Sequence, residues 1–493
     1  VSDNTPIALS LISHTNAGKT TLARTLLSRD VGEVRDAPHV TTEAASFPLI
    51  DTAHGDALIL WDTPGFGDSA RLAQRLRQQG NPVGWFLSQV WDRFRNRAFW
   101  LTQKAVRNVR DQVDVVLYLV NASEEPGDAG YLAPELAVLE WVGKPVIVLL
   151  NQTGPPRAHA DERADETRWR DALAERAHVR EVLTFDAFAR CWVQEFTLFA
   201  AVARVLPESR RPAFDRLVAA WKARRMAQFA DAMAALATPV ARAACDRVVL
   251  PADRLMTRLG KSLGLARSEA ESPEGRAASE MSARIGADLR ASTDQLITIT
   301  ELEGRAASEV LARLESDVRT DAPLDEGKAA VMGGVVTGAL SGLAAELAAG
   351  GLMMGAGLLA GVVLGALGGA GVARGINVVR GKTEATVRWD DAFLDGLVVS
   401  ALLRYLAVAH YGRGRGQWRE SEYPPFWHVR VAHAVATRQP ALAAIWALRA
   451  TDCEEGLIDD RLREILAQIA RGLLDELYPG ALGVLAQEPP SRR

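Results

Sequence analysis

Ser13-His14-Thr15-Asn16-Ala17-Gly18-Lys19-Thr20 lies between an apolar, strand-like run, Ile7 to Ile12, and a helical pattern from Thr21 to Ser28. Residues of these types at this spacing grip phosphate. Backbone N–H groups wrap the oxygens, the lysine reaches the β and γ oxygens, and the hydroxyl that follows holds Mg²⁺. Gly18, Lys19 and Thr20 fit the pattern Gly-x-x-x-x-Gly-Lys-Ser/Thr, whereas Ser13 replaces its first glycine, where a permissive backbone is expected. The candidate phosphate-binding residues are Ser13, Asn16, Ala17, Gly18, Lys19, Thr20 and Thr21.

A second group completes the chemistry. Asp62-Thr63-Pro64-Gly65 ends an apolar run, where an aspartate positions the Mg²⁺ water shell and a glycine N–H meets the γ-phosphate. Between the two motifs, the polar stretch from Val31 to Ala45 carries Thr41 and Thr42. One of these hydroxyls, Thr42 by preference, is expected to close on Mg²⁺ when a triphosphate is bound, giving an ordered and a released loop. The metal set is thus Thr20, Thr42 and Asp62, and the catalytic set Lys19, Thr42 and Gly65.

These residues need a sheet to hold them at one edge. From residue 1 to about 206, short β-rich runs alternate with helical segments, which predicts a mostly parallel sheet covered by helices. Strands are expected at 7–12, 46–51, 57–62, 114–120, 145–151 and 181–185, the second and third close enough to form an antiparallel hairpin. Phosphate loop, Thr41/Thr42, Asp62 to Gly65 and an Asn151 ending an apolar strand come in the order and spacing of an Era-like GTPase of the translation-factor-related class, which this segment resembles. The resemblance implies an α/β P-loop GTPase domain over 1–206, GTP and GDP as ligands with Mg²⁺, and base contacts from Asn151 and Gln152.

Two departures bear on that implication. The family reads its base with Asn-Lys-x-Asp, whose aspartate accepts the guanine N–H groups, but here the run is Asn151-Gln152-Thr153-Gly154. Asp186, after the last strand, is either a substitute or a plain surface or helix-capping aspartate. Phe66 follows Gly65 where Ras-type enzymes carry a water-orienting glutamine, so slow hydrolysis is expected, with help from a partner, from a second copy in a G-domain homodimer, or from the switch loops. A helical insert at about 69–111 carries Trp85, Phe86, Trp91, Phe94, Phe99 and Trp100. These aromatics either pack on the neighbouring domain or relay the nucleotide state.

Beyond Leu206-Pro207 the β signals stop. Helical runs at about 211–249 and 276–318 predict a bundle or stalk over 207–327. From Ala329 to Ala373 the only charge is Glu346, and Gly334, Gly338 and Gly342, then Gly357, Gly361, Gly365 and Gly369, recur every fourth position. Small residues four apart let helix backbones approach closely, as in membrane helix pairs. A break at Gly350-Gly351 leaves two arms, each about long enough to cross ~30 Å of hydrocarbon. Lys328, Arg374, Arg380 and Lys382 flank this glycine-zipper hairpin as cytosolic feet would. The alternative is a buried hairpin in a soluble domain.

An all-α region follows at 383–486, with apolar spacing at Phe393, Leu394, Leu397, Val398, Ala401 and Leu402, before a disordered tail at 487–493. The loop around Arg413, Arg415, Trp418 and Arg419 suits a membrane interface, a nucleic-acid phosphate contact or a plain loop pinned by aromatics, and His428 and His433 read as structural.

At 493 residues the chain is long for a single core. A net charge of −4 gives no global basic character for nucleic acid. Cys191, Cys245 and Cys453 have no paired spacing and read as buried small residues suited to a reducing cytosol. Val1 to Pro6 have neither the basic start nor the apolar core of a secretory signal, so none is expected there. The whole chain resembles a bacterial family that joins an Era-like GTPase domain to a C-terminal domain of unknown function with a glycine-rich segment, its front domain sometimes labelled ribosome-binding. The expected function is a slow GTPase switch at the cytoplasmic side of the inner membrane. Its alternative is a cytoplasmic factor acting on a ribosome, RNA or a protein complex.

Overall fold

The strand that leads into the phosphate loop, β1 (Ile7–Ser13), is buried along its whole length, as a parallel strand covered on both faces must be. The computed structural model describes residues 6–14, 17–27, 45–63, 69–77, 106–107, 109–153, 159–186, 191–250, 273–301, 376–380, 385–410, 425–450, 453–480 and 482–483. The glycine-rich stretch, Thr41 and Thr42, and the insert's aromatics lie outside them. The chain divides into two units, the first Val1–Met226 with His410–Glu422 and Tyr478–Arg493, the second Ala227–Ala409 with Tyr423–Leu477.

The first unit holds a six-stranded sheet in the order β2-β3-β1-β4-β5-β6, with β2 Ala45–Asp51, β3 Ala57–Asp62, β4 Val115–Asn121, β5 Val146–Asn151 and β6 Val179–Thr184. Every pairing is parallel except β2 with β3. As the edge strand, β2 tolerates Pro48 beside a register shift, since an outward N–H is not needed there. Helices α1 (Lys19–Leu27), α2 (Ser69–Arg77), α3 (Leu132–Val142), α4 (His159–Leu173) and α5 (Val193–Val205) accompany the sheet. Tyr118, Val138, Val148 and Trp169 lie in one continuous apolar core. Gly143 stops α3 in the left-handed region at φ +71°, its N–H returning to Leu139 O.

A long helix, α6 (Arg211–Cys245), begins in the first unit and continues in the second. The second unit is predominantly helical, with α7 (Pro273–Ile299), α8 (Asp391–Ala409), α9 (Pro425–Thr437), α10 (Gln439–Ala447) and α11 (Glu455–Leu477). On α7, Met281, Ile285 and Leu289 are buried at helical spacing. The apolar positions expected at 393–402 are buried on α8. This 19-residue helix is long and apolar enough to cross a bilayer, with mean hydropathy 1.7 over an 18-residue window, but 61% of that window is buried by the chain itself. Arg404 on α8 is 4% exposed and donates to Leu289 O at 3.2 Å and Thr293 Oγ1 at 3.1 Å, and burial lowers its pKa to about 10.

Two features of this unit depart from the sequence expectation. A three-stranded antiparallel sheet, β7 (Arg247–Leu250), β9 (Ala385–Trp389) and β8 (Ile376–Arg380), stands in what was expected to be all helix, and it takes up Arg380. Val248, Val249 and Leu250 follow an alanine-rich helix after only Asp246 and Arg247, too short a break to mark a new element, yet the β-branched pair suits a strand. Second, Cys245 and Cys453 are joined by a disulfide, Cα to Cα 5.6 Å, across 208 residues of sequence. This overturns the reading of all three cysteines as unpaired buried residues, because pairing follows spatial approach and not sequence spacing. Cys191 is buried and outside the disulfide.

Candidate functional site

Ser13, Asp62 and Asn151 end β1, β3 and β5, and Asp186 lies just past the end of β6, so the parallel sheet delivers all four to its carboxyl edge. Open α/β sheets bind ligands at that edge, where the strand order reverses, here around β1. Thr15, Asn16, Thr42 and Gly65 fall outside the described residues.

Ser13 is fully buried and, among the described residues, is not one with positive φ. Its backbone therefore needs no glycine, and its hydroxyl accepts a hydrogen bond from Lys19 Nζ at 3.2 Å. Gly18 does need to be glycine, since its φ is +87° and a Cβ would come within 2.5 Å of Asn151 Nδ2. That approach is tight because Asn151, fully buried, donates from Nδ2 to Ala17 O at 2.7 Å, tying the end of β5 to the phosphate loop. Ala17 and Thr21 are buried as well, and Gln152 has a left-handed backbone at φ +57°.

Thr20 Oγ1 donates to Asp62 Oδ2 at 2.8 Å. Asp62 is 3% exposed, and its other oxygen, Oδ1, is buried with no hydrogen-bond partner. Burial raises the Asp62 pKa above the usual carboxylate value, with Lys19 and Thr20 opposing the rise. Burial likewise lowers the Lys19 pKa, against the pull of Asp62 and Glu135. Two hard oxygen donors close together, one with a buried unfilled acceptor, fit a small divalent cation such as Mg²⁺.

The motifs did not reveal a polar cluster beside the loop. Glu135 on α3 is fully buried, its Oε1 lies 2.7 Å from His14 Nδ1, and its Oε2 accepts from Tyr118 Oη at 2.7 Å. His14 stacks on Tyr131 with centroids 4.3 Å apart, and Tyr131 donates to Glu124. Burial raises the Glu135 pKa despite both partners. The one sequence signal was a glutamate inside the apolar run Leu132 to Val142. Asp186 is not a surface residue, being 7% exposed and accepting through Oδ2 from Thr153 N at 2.9 Å and Thr153 Oγ1 at 2.8 Å.

Residues 9–152 match the family model described as 50S ribosome-binding GTPase. No curated protein matches the chain. Solved structures similar to it include Era in complex with MgGDPNP and a fragment of 16S ribosomal RNA, 18% identical over 41% of this chain and 58% of that one, TM-score 0.28. A variant Era of Aquifex aeolicus bound to GDP·AlF4⁻ is 15% identical over 58% of this chain and 89% of that one, TM-score 0.29. A bacterial selenocysteine-specific elongation factor is 15% identical over 41% and 28%, TM-score 0.28. The N-terminal region is an α/β P-loop GTPase domain with a mostly parallel sheet, and the region after it is predominantly helical. Residues 170–429, more than half of the 493, match the model described as Domain of unknown function (DUF3482), and the chain belongs to that family.

Proposed function

We propose that the chain is a Mg²⁺-dependent guanine-nucleotide switch that hydrolyses GTP slowly and is attached to the cytoplasmic side of a membrane through residues 329–373. The observation that carries the nucleotide reading is the Thr20–Asp62 pair with its unfilled buried oxygen, beside a buried Lys19. Lys19, now held by Ser13, is the cation for the β and γ oxygens, and Thr20 and Asp62 are the residues that would hold Mg²⁺. When bound, Mg²⁺ neutralises charge developing on the phosphates. Thr42 and Gly65 complete the switch on sequence grounds, and Phe66 in place of a water-orienting glutamine supports a slow rate.

Support for the membrane is the uncharged, glycine-striped pattern of 329–373. Two measurements test the two parts. Lys19→Ala should weaken Mg·GTP binding by about 100-fold, and unchanged affinity would remove the site assignment. Alkaline extraction of the full chain and of a version lacking 328–382 should leave only the full chain with the membrane. If both are extracted and the chain binds RNA in a salt-dependent way, a ribosome or RNA assembly role replaces the membrane one.

A further inference from the structure

A path of hydrogen bonds ties the phosphate loop to α3. Lys19 Nζ donates to Ser13 Oγ at 3.2 Å, Ser13 Oγ donates in turn to the carbonyl oxygen of His14, and His14 Nδ1 lies 2.7 Å from Oε1 of the fully buried Glu135. Tyr118 Oη on β4 donates to the other oxygen at 2.7 Å, so both carboxylate oxygens are engaged and the side chain is fixed in direction. We propose that Glu135 is a positioning residue of the nucleotide site: through His14 it sets the loop that presents Lys19, and the Glu135–His14 pair takes up a proton when phosphate binds. The inference rests on the nucleotide-binding reading above and names a regulation of that same site.

The His14 ring is held on two sides. One edge meets Glu135, and one face stacks on Tyr131 at 4.3 Å with 15° between the planes. Tyr131 is anchored in its turn by donating to Glu124 Oε2 at 2.7 Å. The His14 side chain is still 37% exposed, so water can exchange its proton, whereas Glu135 is reached only through its partners. For packing alone a neutral glutamine would serve Tyr118 as well, without the cost of burying a carboxylate.

The charges around the pair set the sign of the coupling. Among the described residues, Lys19 on α1, Tyr118 on β4, and Tyr131 and Glu124 between β4 and α3 face it, with Asp62 on β3 beyond Lys19. Burial pushes both phenols up, so neither changes charge near neutrality. Burial raises Glu135 too, and His14, Tyr118 and Lys19 pull it back. Phosphate oxygens arriving on Lys19 cancel its share of that pull, so the pair holds its proton more tightly with nucleotide than without. A proton gained on binding strengthens binding fully below the pKa of the empty site, and the gain is lost as pH rises through the value of the filled one. Asp62 acts with the opposite sign, because a metal ligand must be ionised.

The test is the Mg·GTP affinity of the full chain between pH 8 and pH 6, at saturating Mg²⁺, for the parent, His14→Gln and Glu135→Gln. Relative to His14→Gln, the parent's affinity should rise about 3- to 10-fold toward pH 6, a ratio in which Asp62, Lys19 and the nucleotide's own titration cancel. Glu135→Gln keeps an acceptor for Tyr118 and should lose most of that rise. A purely structural pair would lower affinity by one factor at every pH, so parallel profiles in the three proteins overturn the proposal. If Glu135→Gln does not fold, the parent against His14→Gln decides alone. Lys19→Ala separates the two readings. If it abolishes binding while the profiles stay parallel, the nucleotide site stands and only the role of the pair falls. If the parent binds no Mg·GTP at either pH, both fall.

Discussion

Two buried carboxylates of the first unit, Glu195 and Asp62, are treated in opposite ways. Glu195 on α5 is fully buried, and Arg225, itself 7% exposed, donates to both its oxygens at 2.7 and 3.0 Å, while Trp221 Nε1 donates to Oε2. Asp62 at the phosphate edge has one hydroxyl bond on Oδ2 and nothing on its buried Oδ1. A buried charge with all its bonds made serves the fold, because its desolvation cost is offset on the spot. One left short carries that cost until something else arrives, and such deficits concentrate at functional sites.

The sharpest way to break the contrast is Arg225→Ala. It strands Glu195 and should cost about 3–5 kcal/mol in a urea titration. The double change Glu195→Leu with Arg225→Met should recover most of that loss, because a structural pair is replaceable by apolar packing. Gly18→Ala should cost about 1–3 kcal/mol and loosen nucleotide binding, since it strains a left-handed residue and pushes on Asn151.

Asp62→Asn should act in the other direction. The Asp62 pKa is raised above 3.8, so the folded chain holds that proton more tightly than the unfolded chain. Its contribution to stability is complete below the ordinary carboxylate pKa and is lost as pH rises through the raised value. Removing the charge should therefore stabilise the nucleotide-free protein at neutral pH by about 1–2 kcal/mol, raising its melting point, while weakening Mg·GTP binding. In thermal melts the gain should shrink toward acid pH, where the parent's aspartate is already protonated. The smallest effect is expected for His14→Ala, about 1 kcal/mol by urea midpoint, because Glu135 keeps Tyr118. A larger loss there would move the His14 cluster to the side of the structural pair.

The sheet and the phosphate edge were legible because their signals are local. The six apolar runs mark their own strands, and Asp62 and Asn151 are placed by being the residues that end them. Glu135 was not legible, since a glutamate in an apolar helix does not announce that its partners are His14, 121 residues earlier, and Tyr118, on a strand. The Thr153–Asp186 pair depends on the register of β5 and β6, which the sequence of either strand alone does not contain. The second sheet escaped for a different reason. Strands of four and five residues are too short to show alternation, and β7 is separated by more than a hundred residues from its partner β9.

The Cys245–Cys453 bond closes the intervening chain into a covalent ring, and the whole glycine-rich stretch from 329 to 373 lies on it. A protease that cuts this ring once opens it without releasing a fragment. The nicked protein should run at full mass on a denaturing gel and fall into two pieces only when a thiol is added. Any cut outside the ring yields its fragments at once. Gels run with and without reductant therefore locate a nick on either side of the Cys245 and Cys453 boundary.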